Sequence, residues 1–328
     1  MKIKTIPKYS VGLWVFKNPG DRFVCSGYKK PITTEEQLRL AGKVKGIQGV
    51  ELTYPSSFTL KVSKIKNVLN ELNLQVSRIS LNTFSDPRWA KGAFTSSDKK
   101  LRKEAIERAK KTIDMAKELN ADGITMWLGS DGFDYPFAVD YSRQYDLLVA
   151  AITEVGEYDK NVKVSVEYKP REPRTHQIVG TAGQLLTIIN EINMDNVGIT
   201  MDVGHSIEAQ EDPAEMIALM ARYGKLFYTH QNDNFRLWDD DMVVGSVNIW
   251  ETLEYLYWLD RVGYEGWYTL DMSPYREDPV QAAELSIKNL KRMRVLIAKF
   301  DEETLENAFR EMDALKAHEM IMDLLFGK

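Results

Sequence analysis

Eight strand-length apolar runs, each followed by a helix-length amphipathic pattern, constrain this chain more than any other feature. The runs lie near 11–16, 49–54, 75–83, 123–129, 162–169, 197–203, 226–232 and 266–272. The helical patterns fall near 33–46, 61–73, 97–120, 140–160, 181–193, 212–224, 249–263 and 278–300. Short continuous apolar runs between helices mark parallel strands covered on both faces. Eight such units in strict alternation point to a closed (β/α)8 TIM barrel rather than an open sheet. Capping signals agree: Thr33 or Thr34 followed by Glu35, Ser97 before DKKLRKEA, and Asp212-Pro213 opening the sixth helix. Residues 301–328 continue in helical phase beyond a barrel of residues 1–300, with Leu305, Phe309, Met312 and Leu315 three or four apart. This helical C-terminal extension is expected to pack on its own barrel or on a second subunit.

Composition bears on the setting. At 328 residues the chain is long for one domain, but barrels reach this size, and 44% hydrophobic residues are enough for one large core. A net charge of -5 argues against nucleic acid or an anionic membrane as a partner. The lone Cys25 excludes an intrachain disulfide and suits a reducing compartment. The start, MKIKTIPKYS, lacks the apolar core of a signal peptide, and no apolar run approaches membrane-spanning length. Together these features point to a cytoplasmic protein.

Four consecutive runs end in ligand-type residues. VSVEYKPREPR puts Glu167 and Lys169 on one face of a strand before proline stops it; GITMDVGH brings Asp202 and His205, LFYTHQND brings His230, and GWYTLDMSP brings Asp271. A single carboxylate at such a place could cap the next helix, and a Glu/Lys pair could be a weak surface ion pair. Four strand ends in succession delivering Glu, Asp, His and Asp to one rim instead suit a divalent metal with oxygen and nitrogen ligands. A carboxylate two residues from an ammonium group is how a metal-assisted carbonyl enzyme would be built.

In this order and spacing the motifs resemble xylose isomerase-type sugar isomerases from about residue 10 to 290. VGLWVF with DRF at 21–23 resembles the first strand and aromatic loop of that family, and residues 92–135 resemble the block ending in its tryptophan–glycine turn. EYKPREPR, DVGH, the DxD of LWDDDM, and LDMSPYRED match in turn. The resemblance implies an aldose–ketose isomerase that moves a carbonyl between C1 and C2 of an open-chain sugar by a hydride shift. By position it implies that Glu167, Asp202, His230 and Asp271 hold a structural metal, and that His205, Asp239 and Asp241, with Asp202 bridging, hold a second, catalytic one. Lys169 resembles the lysine that polarises the carbonyl oxygen. The implied catalytic groups are thus Lys169, Glu167, Asp271 and His205. Trp14, Phe94 and Trp127 resemble the apolar wall around the reacting carbons, and Phe23 the aromatic that a neighbouring subunit inserts, which implies a homodimer or homotetramer. Two histidines shift the preference toward Mn2+, with Mg2+ and Co2+ as the other hard candidates, at one or two ions per subunit. Five carboxylates against two dications and Lys169 leave the set near neutrality, and a dry aromatic wall discourages proton exchange with water.

The sequence also departs from that family. In GVELTYP, Thr53 stands beside Tyr54 where the family places its ring-opening histidine, and no histidine precedes His176. Asp202 and His230 stand where the familiar enzymes have a glutamate and an aspartate, a set similar to rhamnose isomerases. The expected substrate is therefore a different aldose–ketose pair, such as a deoxy or branched sugar. A metal-dependent ketose 3-epimerase with Glu167 and Asp271 as its acid–base pair is the chief rival. The metal-binding subunit of a C-glycoside-cleaving complex and a noncatalytic sugar-binding scaffold are further alternatives. His176 and His318 read as surface or packing residues, and Arg174 and Arg276 are expected to pair with carboxylates such as Glu172 or to line the rim.

Overall fold

The structure, a computed structural model, describes residues 6–172 and 174–327. The first half of MKIKTIPKYS, Pro173 of the KPREPR turn and the last residue of the extension lie outside the described residues. Eight strands form the barrel: β1 (Lys8–Gly12), β2 (Gly49–Tyr54), β3 (Gln75–Leu81), β4 (Gly123–Trp127), β5 (Lys163–Glu167), β6 (Val197–Asp202), β7 (Leu226–Gln231) and β8 (Trp267–Leu270). They pair side by side in chain order, and β1 closes on β8, every pair parallel. The surrounding helices are α1 (Thr34–Ala41), α2 (Val62–Glu71), α3 (Lys99–Glu118), α4 (Tyr141–Tyr158), α5 (Ala182–Ile192), the short α6 (Val203–Glu208), α7 (Pro213–Arg222), α8 (Ile249–Arg261) and α9 (Pro279–Ile297). The closed barrel expected from the alternation is therefore present.

Boundaries differ from the sequence reading in instructive places. The first strand ends at Gly12, and Leu13–Phe16 is a single 3-10 turn, so Trp14 sits on a corner and not in a strand. Thr33 caps α1 in a capping box completed by Glu36, and Asp98 rather than Ser97 caps α3, because each supplies its oxygen to the correctly placed amide. Asp212 caps α7 with Pro213 in its first turn, as read. DVGH is both a strand end and the opening of α6, with Asp202 accepting from the His205 amide at 2.9 Å.

The pleat sorts each strand into two faces. In β5, Val164 and Val166 pack outward in the apolar layer under the helices, whereas Ser165 and Glu167 share the inner face. The same parity pairs Thr200 with Asp202, Tyr228 with His230, and Thr269 with Asp271. Inside the barrel the lower members form a hydroxyl layer: Ser165 to Thr200 at 2.6 Å, Thr125 to Thr200 at 3.0 Å, and Tyr228 to Ser77 at 2.8 Å. Buried Arg78 donates to Ser165 at 2.8 Å and pairs with Asp122 at 3.2 Å. The upper members, two residues further on, are the ligand-type residues.

Beyond α9, the extension forms two helices, α10 (Glu302–Glu311) and α11 (Ala314–Phe326). Leu305 and Ala308 are buried against the barrel, and Phe309 contacts Tyr257 and the Arg261 guanidinium. Met312 adopts φ +56 and ends α10, which breaks the expected continuous phase. Met312 and Leu315 are consequently 90% and 83% exposed, so only the first half of the predicted stripe faces the barrel. Among the described residues no helix is long and apolar enough to cross a membrane.

One buried carboxylate organises the loop after β3. Asp131 Oδ1 accepts from the amides of Ala93 at 2.9 Å and Thr95 at 2.7 Å and from the Thr95 hydroxyl at 2.8 Å. Asp131→Ala would strand these donors in a dry site. It is expected to destabilise the fold by about 2–4 kcal/mol, read from urea unfolding; a change within experimental error would show that the loop finds other partners.

Candidate metal centre

Register brings the four upper residues to one level. Asp202 and His230 are direct partners across β6 and β7, Glu167 pairs with Thr200 of β6, and Asp271 follows Leu270, the partner of Gln231. Glu167, Asp202, His230 and Asp271 each offer a ligand atom, and these atoms lie within 4.8 Å of one another. Ligands bound to one hard cation at 2.0–2.6 Å lie at most about 5 Å apart, so the spacing fits a single ion. His230 Nδ1 lies 3.0 Å from Glu167 Oε1, 3.2 Å from Asp271 Oδ2 and 3.8 Å from Asp202 Oδ2. Burial, reinforced by Asp202 and Glu167, pushes the Asp271 carboxyl up to about 7 against the pull of His230. Burial raises Asp202 as well. Such a group holds a proton or a cation near neutral pH. Three carboxylates and one imidazole suit Mn2+, Mg2+ or Co2+.

The donors are held from behind by Glu51, Trp14 and Asn232, of which only Trp14 stands out in the sequence. Glu51 of β2, fully buried, meets His230 Nε2 at 2.9 Å and is itself hydrogen-bonded by Ser80. This leaves Nδ1 toward the carboxylates, the arrangement in which a second carboxylate sets the orientation of a ligand imidazole. The signal for Glu51 was a charged residue inside the otherwise apolar GVELTY run. Trp14 donates its indole N–H to Asp271 Oδ1 at 2.5 Å, so it orients a donor as well as lining the cleft. Gly12 makes this possible, since a Cβ there would meet the Trp14 ring at 2.3 Å. Asn232 donates to both Asp202 oxygens, at 3.2 and 3.0 Å, and Gly204 of DVGH leaves it room, since a Cβ there would meet Asn232 Oδ1 at 2.4 Å.

The second predicted set converges less. His205 Nε2 meets Asp239 Oδ2 at 3.3 Å, and His205 Nδ1 lies 3.4 Å from Glu167 Oε1. Asp241 is held instead by Ser273 at 2.9 Å and Asn232 at 3.3 Å. Among the described residues only the first set meets as a group of three or more donors. His205 Nδ1 and Asp239 Oδ1 are nevertheless buried without a hydrogen-bond partner, which suits groups that bind something other than protein. Lys169 is buried beside them. Its ammonium pairs with Asp239 at 2.7 Å and with Glu172, and it lies 5.3 Å from the Trp127 ring centroid. Burial opposes its charge, but Asp239, Glu172 and Asp241 outweigh that and hold it well above the usual lysine range.

These groups line a cleft of about 400 Å³ at the carboxyl ends of the strands, together with Trp14, Thr53 and Trp127. Phe94 does not line it: it is packed in the core on the loop that Asp131 anchors, and Phe84 takes the place beside Trp127, ring centroids 4.4 Å apart. Phe23 lies outside the cleft and is 82% exposed. Arg174 pairs with Asp134 at 2.8 Å rather than with Glu172, which Lys169 engages, and Arg276 stacks over Tyr28. His176 stacks on Phe133 and His318 on Trp250, both packing roles.

Fold and donor set together define a (β/α)8 barrel with a candidate divalent-metal centre at its carboxyl rim. The chain belongs to the xylose isomerase-like TIM barrel family, whose model matches residues 38–293. It is similar to the xylose isomerase of Thermus thermophilus, at 24% identity over 324 residues, covering 94% of this chain and 82% of that protein. Its fold is similar to that of a D-allulose 3-epimerase from a Methylomonas species (TM-score 0.70, 16% identity, 88% of this chain and 97% of that one). An L-ribulose 3-epimerase is likewise similar (TM-score 0.69, 19% identity, 88% of this chain and 96% of that one).

Removing the charge behind His230 should be felt by the metal. Glu51→Gln is expected to weaken Mn2+ binding about 10–100-fold in calorimetric titration, and Asp271→Ala to abolish it. Unaltered affinity in Glu51→Gln would confine Glu51 to packing.

Proposed function

We propose that this protein is a metal-dependent aldose–ketose sugar isomerase. The observation that carries the reading is Lys169, a buried ammonium in the cleft wall two residues along the chain from a donor of the cation site. In the reaction, hydrogen leaves C2 of an open-chain aldose with its electron pair and arrives at C1. The C2 hydroxyl loses its proton to become a carbonyl, and the former carbonyl oxygen on C1 gains one. Glu167, Asp202, His230 and Asp271 would hold a divalent cation, which when bound would supply positive charge toward the substrate's oxygens.

The chain's own residues do the rest. Lys169 donates to the carbonyl oxygen on C1 as charge builds there. His205 and Asp239, in contact at 3.3 Å, are the groups offered to take the proton from the C2 hydroxyl. Trp14, Phe84 and Trp127 supply an apolar wall that keeps water from the moving hydrogen. Among the described residues the cleft's imidazoles are His205 and His230, both committed to carboxylates, so the sugar is best supplied as an open chain or as a ring that opens readily. Exposed Phe23 suits a homo-oligomer in which it reaches the partner's cleft.

A second reading, ketose 3-epimerisation, is favoured by one observation: Glu167 and Asp271 both approach His230 Nδ1, which sets two carboxylates at one site. That reaction leaves Lys169 without a task. Isotopes separate the two. An aldose deuterated at C2 and incubated with the Mn2+-loaded protein should yield a ketose with the label at C1, whereas epimerisation would wash a ketose C3 label into solvent. Lys169→Ala is expected to lower kcat about 10²–10⁴-fold while Mn2+ affinity changes far less. Full turnover in that variant would remove the isomerase assignment.

A further inference from the structure

Lys17 is a cation in the cleft that the proposed chemistry does not use. It follows the Leu13–Phe16 turn, with its amide donating to the Trp14 carbonyl, and its side chain lines the same cleft as the cation site. Among the described residues no hydrogen bond or ion pair engages its ammonium group. The acidic side chains lining the cleft are already committed: Glu167 to His230, Glu172 and Asp239 to Lys169, Asp271 to Trp14 and His230, and Asp241 to Ser273 and Asn232. Burial pushes Lys17 below the usual lysine range, and no neighbouring carboxylate offsets that. A desolvated charge without a counter-charge is unfavourable unless a ligand supplies one. The adjoining strand, β2, brings Thr53 to the cleft and its following loop brings Ser56, so hydroxyl groups from the neighbouring element line the same space.

We propose that Lys17 is a specificity residue that receives an anionic oxygen group, a phosphate or a carboxylate, carried by the substrate away from the carbonyl that Lys169 handles. This rests on reading the cleft as a sugar site. The carboxylates near Lys169 would repel a second anion placed among them. Lys17 is, among the described residues, the cation lining the cleft that stands clear of them. The substrate class is therefore an acid-bearing sugar rather than a neutral one, and its charged end lies toward the loop after β1.

The test is equilibrium binding of sorbitol, sorbitol 6-phosphate and gluconate to the full-length Mn2+-loaded protein by calorimetry. At least one anionic polyol is expected to bind about tenfold or more tighter than sorbitol, the worth of one charge-assisted hydrogen bond. Preference for the phosphate or for the carboxylate assigns the source of the charge. The ratio should fall to near one in Lys17→Met, persist in Lys17→Arg and invert in Lys17→Glu, which guards against a single variant that fails to fold. Equal binding of all three by the unaltered protein, or a preference kept in Lys17→Met, would overturn the proposal. Binding needs no turnover, so a failure of every sugar to isomerise would strike the isomerase reading and leave this ratio intact.

Discussion

A hydrogen bond across the inside of the barrel, between His230 on β7 and Glu51 on β2, sets the orientation on which the candidate metal centre depends. The two residues are 179 positions apart and meet only because the sheet closes. By occupying Nε2, Glu51 leaves Nδ1 to face Glu167 and Asp271. A neutral imidazole offers one acceptor nitrogen, so the partner at one nitrogen decides what the other can bind. The centre is thus a property of the closed barrel and not of any strand taken alone.

Keeping so much charge under cover requires a polar interior. Below the four donors, Thr125, Ser165 and Thr200 bond to one another, and Tyr228 bonds to Ser77. The apolar material lies on the other side of the sheet, between strands and helices. Buried polar groups are tolerated when each has a partner, and the hydroxyl layer supplies partners to Arg78 and to its own members. His205 Nδ1 and Asp239 Oδ1, in the wall of the candidate site, are among the buried atoms that the protein leaves without a partner.

Much of this was legible in the sequence because a ligand at the end of an apolar run is a local pattern. Glu167, Asp202, His230 and Asp271 each announced themselves in that way, and the alternation of runs and helices was enough for the barrel. What was not legible depends on distance through space. Glu51 lies inside a run, and nothing local reveals that His230 waits opposite. Phe94 and Phe84 are both phenylalanines in loops after one strand, and only the anchoring of the 92–96 segment by Asp131 decides which of them reaches the cleft. The tail stripe failed at Met312, where a single left-handed residue turns the helix and points Leu315 to solvent.

The parity of the pleat divides what this chain can change from what it cannot. Inserting one residue within β5, β6, β7 or β8 ahead of the donor would turn the donor outward against a helix and bring its neighbour, Val166, Met201, Thr229 or Leu270, into the centre. Lys17, Thr53 and Phe84 stand at strand ends or on the connections beyond them, where length and conformation drift freely. The barrel therefore separates two inheritances: a candidate metal centre written in the strands, closed to gradual revision, and the cleft's loop-borne lining, open to it.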